Sequence, residues 1–453
     1  MTDPAGDTIV ATATPLGQGA VAVVRLSGPR AIAIADRRFR GATPLRDAPR
    51  RHACYGRVVD ADGQHVDDVL AICFAAPASY TGEEVVEISC HGSPLIAQQI
   101  TELMSASGAR FAEPGEYTRR AFLNGKIDLA QAEAVGELIA SASNMALRGA
   151  RGRLDGELSR HVGGLREHLV ELAALTELDL DFAEEEVPVL APAVLAAKIN
   201  AAVTRCEEML ATFRVERMLR DGVQVALVGK PNVGKSSLLN RLARASRALV
   251  SDVPGTTRDA VHADIQVDGV HLRVTDTAGL HDSADVVETM GMQRTHQTID
   301  DADLVVVVVE CGGDGRTATY ETNDLPGVSA ERLLVVANKC DLGPAPPGSD
   351  RAVSALSGEG IEALAGDLVR LSFRTNPYSE TTTTIASERQ KRSLEDARIR
   401  LQAAAQLARA GDHDGDLIAA ELRAAITGLE ELLGEVTSDN VLNQIFAEFC
   451  IGK

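Results

Sequence analysis

The chain has 453 residues, 45 basic side chains against 65 acidic ones, seven cysteines and no tryptophan. That length predicts roughly three domains, and a composition of 45 % apolar and 24 % charged residues excludes wholesale disorder. An odd cysteine count without a C-x-x-C pair excludes a disulfide scaffold, and the longest aliphatic run, Leu304 to Val309, is too short to span a bilayer.

Residues 1–20 carry no basic-then-apolar leader, so the expectation is a cytoplasmic, reduced protein without a membrane segment. Residues 8–27 alternate apolar stretches with Gly and Pro and predict two short strands around a glycine-rich turn. Val69–Phe74 and Val85–Ser89 are further predicted strands, 94–107 a helix, and Glu113-Pro114-Gly115 a loop. Residues 1–126 therefore read as a small N-terminal α/β domain.

From Leu129 to about Arg220, Ala, Leu, Glu and Arg dominate, with apolar residues at i, i+3 and i+4, the pattern of long amphipathic helices. The acidic run Glu184-Glu185-Glu186 before Val187-Pro188 predicts a helix end or loop. Strand-type runs then alternate with helical ones: VQVALVG, SSLLNRLARA, a hairpin turning at Asp268-Gly269, DLVVVVVE and RLLVVANKCD. That alternation predicts a mostly parallel α/β sheet over 221–375. Residues 385–436 return to helix. The expected architecture is multidomain α/β plus α. A helical domain in two pieces, 127–220 and 376–453, is interrupted by the α/β unit.

The inserted unit carries ordered nucleotide motifs. Gly229 to Ser236 fits G-x-x-x-x-G-K-[ST] between a predicted strand and helix. Its backbone N–H groups would wrap phosphate oxygens, with Gly234 allowing the turn and Lys235 reaching the β- and γ-phosphates. Ser236 would offer a hydroxyl to Mg²⁺, and Ser237 opens the same helix. Asp276-Thr277-Ala278-Gly279 ends a strand, where Asp276 can hold the Mg²⁺ shell and Gly279 follow the γ-phosphate. Asn338-Lys339-Cys340-Asp341 places a carboxylate to accept from guanine N1–H and its exocyclic amine, a pair adenine lacks. Ser354-Ala355 follows a short predicted strand, where a backbone N–H can meet the guanine carbonyl. Thr256 and Thr257 lie in GTTRD, where Thr257 would ligate Mg²⁺ only while the γ-phosphate is present. Together these motifs predict a GTPase. Leu280 stands where Ras-like GTPases carry a water-orienting Gln, which makes Glu288 a candidate for that task.

The G motifs, the flanking helical segments and the terminal Cys450-Ile451-Gly452-Lys453 resemble the MnmE (TrmE) family of bacterial tRNA-modification GTPases. The more specific marks are DTIVATATPLGQGAVAVVRLSG near the start and PGEYTRRAFLNGKIDLAQAEAV at 114–135. The resemblance implies modification of the wobble uridine at C5 of certain tRNAs, adding an aminomethyl-type group. It implies an FAD-dependent MnmG-type partner in a heterotetramer, a homodimer through the N-terminal domain, and 5-formyl- or methylene-tetrahydrofolate as one-carbon donor. By motif match, folate contacts fall on Arg25, Glu87, Lys126 and Lys453. A K⁺ ion would be held by Asn232 with Ser251, Val253 and Thr256, Glu288 would orient water, and Cys450 would serve the tRNA chemistry. His91-Gly92-Ser93 stands where relatives often have His-Gly-Gly.

A GTPase switch in ribosome assembly or translation would show the same G motifs but needs neither CIGK nor a folate-type N-terminal domain. A prenylation signal is disfavoured by the final Lys and the lack of a polybasic stretch. Cys90-His91 lacks partners at metal-ligand spacing and reads as a buried thiol beside a polar loop. The net charge of −20 argues against nucleic acid in general, and residues 1–126, at net −1, would repel RNA least.

Overall fold

The computed structural model describes residues 6–15, 17–141, 143–181, 191–245, 262–277, 297–312, 328–373, 385–410, 415–447 and 449–453. The chain folds as two compact units, one of residues 1–136, 153–192 and 407–453, the other of 137–152 and 193–406. The helical stretches are shared between them.

The first unit is built on a sheet of β1 (Ile9–Thr12), β2 (Val21–Ser27), β3 (Phe39–Gly41), β4 (Ala53–Val59), β5 (His65–Phe74), β6 (Val85–His91) and β7 (Arg110–Phe111). The strand order is β3-β4-β5-β6-β2-β1-β7. β2 and β6 pair antiparallel, with Arg25 opposite Glu87. Alternation sends Val24, Leu26, Val86, Ile88 and Cys90 into the core and turns Arg25 and Glu87 to the other face. Helices Ala31–Arg38 and Pro94–Ala106 contribute to that core; Ala97, Ile100 and Met104 bury one stripe at helical spacing. The expected strands and the 94–107 helix are present. β3, β4 and helix Ala31–Arg38 carried no clean apolar period, because arginines, glycines and prolines interrupt residues 36–57.

Helices Glu157–Asp181 and Gly415–Leu433 run antiparallel, as the ion pairs Arg166–Glu430 (3.0 Å) and Arg423–Glu177 (2.6 Å) show. The last helix, Asp439–Ala447, inserts Leu442 and Phe446 beside Leu129 and Ala132. That contact seats the C-terminus on the 114–135 segment.

The second unit holds a sheet of β8 (Val223–Val228), β9 (His262–Val267), β10 (Val270–Asp276), β11 (Leu304–Glu310), β12 (Leu333–Asn338) and β13 (Arg351–Ala352). Its order is β13-β12-β11-β8-β10-β9, with only β9 antiparallel among the described strands. β11 is buried along Leu304–Val309, as a central parallel strand covered on both faces must be. The β9–β10 turn uses left-handed Asp268 (φ 50°) and Gly269 (φ 80°), the conformation of a tight two-residue hairpin. This is the inserted P-loop GTPase-type α/β domain.

Candidate functional site

The phosphate loop leaves the C-terminal end of β8 and enters helix Lys235–Ala245. Asp276 closes β10, Asn338 closes β12 and Ser354 follows β13. All therefore gather at the carboxyl edge of the sheet, the usual ligand edge of open α/β folds. Gly234 sits at φ +95°, and a Cβ there would lie 2.4 Å from Asn338 Nδ2. Only glycine combines that backbone with that approach. Asn232 is also left-handed, at φ 67°.

Asn338 ties the site together. Its Nδ2 donates to the Val233 carbonyl in the phosphate loop (2.9 Å), and its Oδ1 accepts from Ala355 N–H (3.0 Å). The base-side loop and the phosphate loop thus share one buried side chain. Ser354 Oγ donates to Asp341 Oδ1 at 2.5 Å and orients that carboxylate. Lys339, left-handed at φ 67°, reaches Glu310 at 2.7 Å.

On the phosphate side, Lys235 Nζ donates to the carbonyls of Gly229 (2.8 Å) and Lys230 (3.0 Å). Burial holds its ammonium below the ordinary lysine range, with Asp276 pulling the other way. Ser236 Oγ donates to Asp276 Oδ2 at 2.5 Å, so a hydroxyl and a carboxylate converge beside the lysine. These hard oxygen donors suit Mg²⁺. Thr277 Oγ1 donates to the Leu227 carbonyl at 2.8 Å and locks β10 to β8. Ser237 lies on the exposed side of the helix. Ser251, Val253, Thr256, Thr257, Gly279 and Glu288 lie outside the described residues.

In the first unit, Arg25 donates from Nε to Glu87 Oε1 (2.9 Å), with Nη2 at 2.8 Å from the same oxygen. Its Nη1 reaches the Gly452 carbonyl at 3.4 Å, and its guanidinium lies 5.6 Å from the Tyr117 ring centre and 6.0 Å from that of Tyr80. The C-terminal residues are fastened by backbone as well. Tyr117 N–H donates to Lys453 O (3.1 Å) and Gly115 N–H to Cys450 O (3.4 Å). Gly452, at φ +96°, would place a Cβ 2.4 Å from Thr12 O. Cys450 itself is exposed. Three of the four expected folate residues, Arg25, Glu87 and Lys453, therefore belong to one neighbourhood. Lys126 instead donates to the Pro77 carbonyl at 3.1 Å.

The sequence did not point to Tyr80 and Tyr117 beside Arg25. Tyr117 lies inside the 114–135 block, but only the packing of helix Glu116–Leu123 against the sheet reveals what its ring faces. Cys90 is buried, its thiol pushed up to about 11 by burial, and His91 Nδ1 pairs with Asp67 at 2.7 Å. Among the described residues no group of three or more His, Cys, Asp or Glu is arranged to hold a metal ion.

Residues 129–450 match the MnmE helical domain family, and residues 8–126 match the family described as GTP-binding protein TrmE N-terminus. The chain belongs to the MnmE family of tRNA modification GTPases. It is 39 % identical over 457 residues to tRNA modification GTPase MnmE of Aquifex aeolicus, covering 98 % of this chain and 99 % of that one. It is 41 % identical over 463 residues to its namesake in Symbiobacterium thermophilum, covering 99 % of each. Membership of the MnmE family makes this chain a GTP-binding, GTP-hydrolysing enzyme of tRNA modification. Among the described residues no helix is long and apolar enough to cross a membrane.

Proposed function

We propose that this MnmE-family GTPase acts with an FAD-dependent MnmG-type partner, as a heterotetramer, to place an aminomethyl-type group on C5 of the wobble uridine of certain tRNAs. The N-terminal domain forms the homodimer and binds a tetrahydrofolate. The observation that carries this reading is the seating of CIGK beside the Arg25–Glu87 pair. A pure switch has no use for such a junction.

A cation, a carboxylate and two aromatic rings suit a ligand with a carboxylate tail and a flat amine-edged ring. Arg25, Glu87, Lys126 and Lys453 would hold the folate, which supplies the one-carbon unit when bound. Cys450 is the exposed thiol of this corner and serves as nucleophile or redox group in the tRNA step.

In the G domain, Lys235 and the loop N–H groups stabilise charge on the β- and γ-phosphates, while Ser236, Thr257 and Asp276 would hold Mg²⁺. Thr277 and Gly279 follow the γ-phosphate. Glu288 orients the attacking water in place of a Ras-type Gln. Asn232 with Ser251, Val253 and Thr256 would hold K⁺, whose charge would supply the electrostatic role of an arginine finger. Asn338, Lys339, Asp341, Ser354 and Ala355 select guanine. GTP hydrolysis should run faster in K⁺ than in Na⁺.

Mass spectrometry of tRNA nucleosides from a strain lacking this gene tests the reading. Loss of C5-modified wobble uridine is expected. An unchanged nucleoside profile would contradict it and favour a ribosome-assembly or translation switch.

A further inference from the structure

The near-neutral N-terminal segment conceals a strongly basic one. Residues 36–57 hold seven arginines against Asp36 and Asp47, a net of +5 in a chain of net −20. The fold collects this segment at one edge of the first sheet, where helix Ala31–Arg38 meets β3 and the loop to β4. A cavity of about 740 Å³ opens there, lined in part by Arg37, Arg40, Arg46 and Arg50. Asp36 and Glu84 also line it, so guanidinium groups outnumber carboxylates two to one.

Three of the four guanidinium groups are held by neutral acceptors. Arg37 Nη1 donates to Ser107 O at 2.9 Å, and Arg40 Nη1 donates to Phe39 O at 2.8 Å and Arg37 O at 3.0 Å. Arg50 donates to Ala48 O at 2.9 Å and Leu45 O at 3.2 Å. A carbonyl orients a guanidinium without cancelling its charge. Only Arg46 faces carboxylates, Asp36 at 3.4 Å and Asp47 at 3.6 Å, and it is 69 % exposed. Asp36 is further engaged by the Leu45 N–H at 2.6 Å. The result is a preset group of cations whose outward N–H edges await an anion.

We infer that this arginine-lined cavity is a docking site for the phosphodiester backbone of tRNA. Every cation in the segment is an arginine, whose planar fork matches phosphate oxygens two at a time. The volume lies in the range of about 300–1,000 Å³ in which sites take ligands larger than a simple ion. The rest of the chain carries the acidic excess, so RNA must be held locally, and this is where the structure concentrates positive charge. The inference rests on the family's action on tRNA and adds the surface that holds it.

Fluorescence anisotropy with a labelled tRNA transcript and the full-length protein tests this between 50 and 200 mM KCl. Arg37→Gln combined with Arg40→Gln should weaken binding about tenfold at low salt and flatten the plot of log affinity against log salt by about one to two units. The corresponding double Lys variant should recover most of the slope, and basal GTP hydrolysis and thermal melting should match the parent. Parent-like affinity and slope in a folded Gln variant would overturn the inference. So would competition by inorganic phosphate for the cavity without effect on tRNA, or absence of tRNA binding by the parent. Nucleoside analysis of the deletion strain judges the modification reading separately: lost C5 modification there with unchanged affinity here removes the docking site and leaves the chemistry standing.

Discussion

Arg25 and Glu87 face each other across neighbouring antiparallel strands, 2.8 Å apart, and the same arginine touches the carbonyl of Gly452 near the end of the chain. Arg25 thus contacts a residue 427 positions further along the chain. Arg25→Ala should loosen the CIGK segment, because Arg25 packs on the Tyr117 ring while the Tyr117 amide holds Lys453. Hydrogen exchange read by mass spectrometry should show faster exchange at 115–118 and 449–453. Unchanged protection there would mean that the backbone bonds alone seat the tail.

Gly234→Ala should abolish tight GTP binding. The new methyl would collide with Asn338 Nδ2 on a left-handed backbone. The cheapest relief moves Asn338 and breaks its bonds to Val233 and Ala355. Loss of one buried and one part-buried hydrogen bond at roughly 1 kcal/mol each corresponds to at least about tenfold weaker binding. Titration with a fluorescent GTP analogue checks this.

Asp341→Asn should shift preference from GTP toward xanthosine triphosphate. The carboxylate accepts two hydrogen bonds from guanine, whereas an amide donates where xanthine offers a carbonyl. Ser354 Oγ already holds Asp341 in place, so the change acts on recognition rather than on loop position. Competition between the two nucleotides should move by roughly tenfold or more; an unchanged ratio would count against the guanine assignment.

Much of this nucleotide site was legible in the sequence, because its parts lie at strand ends and strands of the VVVVV type announce themselves. The tail junction was legible only as a resemblance. Spacing does not tell that Arg25 faces Glu87; the register of β2 on β6 decides it. Nor does it tell that Gly452 must be glycine to approach Thr12. The arginine segment 36–57 was hidden for a different reason: a sum over residues 1–126 cancels its charge, and only the fold shows that Arg37, Arg40, Arg46 and Arg50 line one cavity.

Arg120 anchors a buried network in the first unit. It is 4 % exposed and bonds Asp7 at 2.5 Å, Glu116 at 2.9 Å and Glu83 at 3.1 Å. Burial pushes the Asp7 and Glu116 carboxyls up, but Arg110 and Arg120 more than offset it and hold both below the usual carboxylate range. Lowered carboxyl pKa values mean stability that is present above the unfolded values, about 4, and lost as pH falls below them. Arg120→Met should cost about 3 kcal/mol at neutral pH, since it removes the cation partner of Glu83 and leaves Asp7 and Glu116 with Arg110 alone. Denaturant unfolding from pH 7 to 3 should show that the penalty shrinks in acid; a pH-independent penalty would place the effect in packing.

The most direct test of the central claim, that GTP hydrolysis and a C-terminal thiol serve one tRNA modification, is complementation of a deletion strain with Cys450→Ser. Cys450 is exposed, and the tail is held by the backbone of its neighbours, so the variant should fold and hydrolyse GTP normally. The expected result is retained GTPase activity with the C5 modification missing from wobble uridine in the tRNA nucleoside spectrum. Full modification in cells carrying only the serine variant would contradict it.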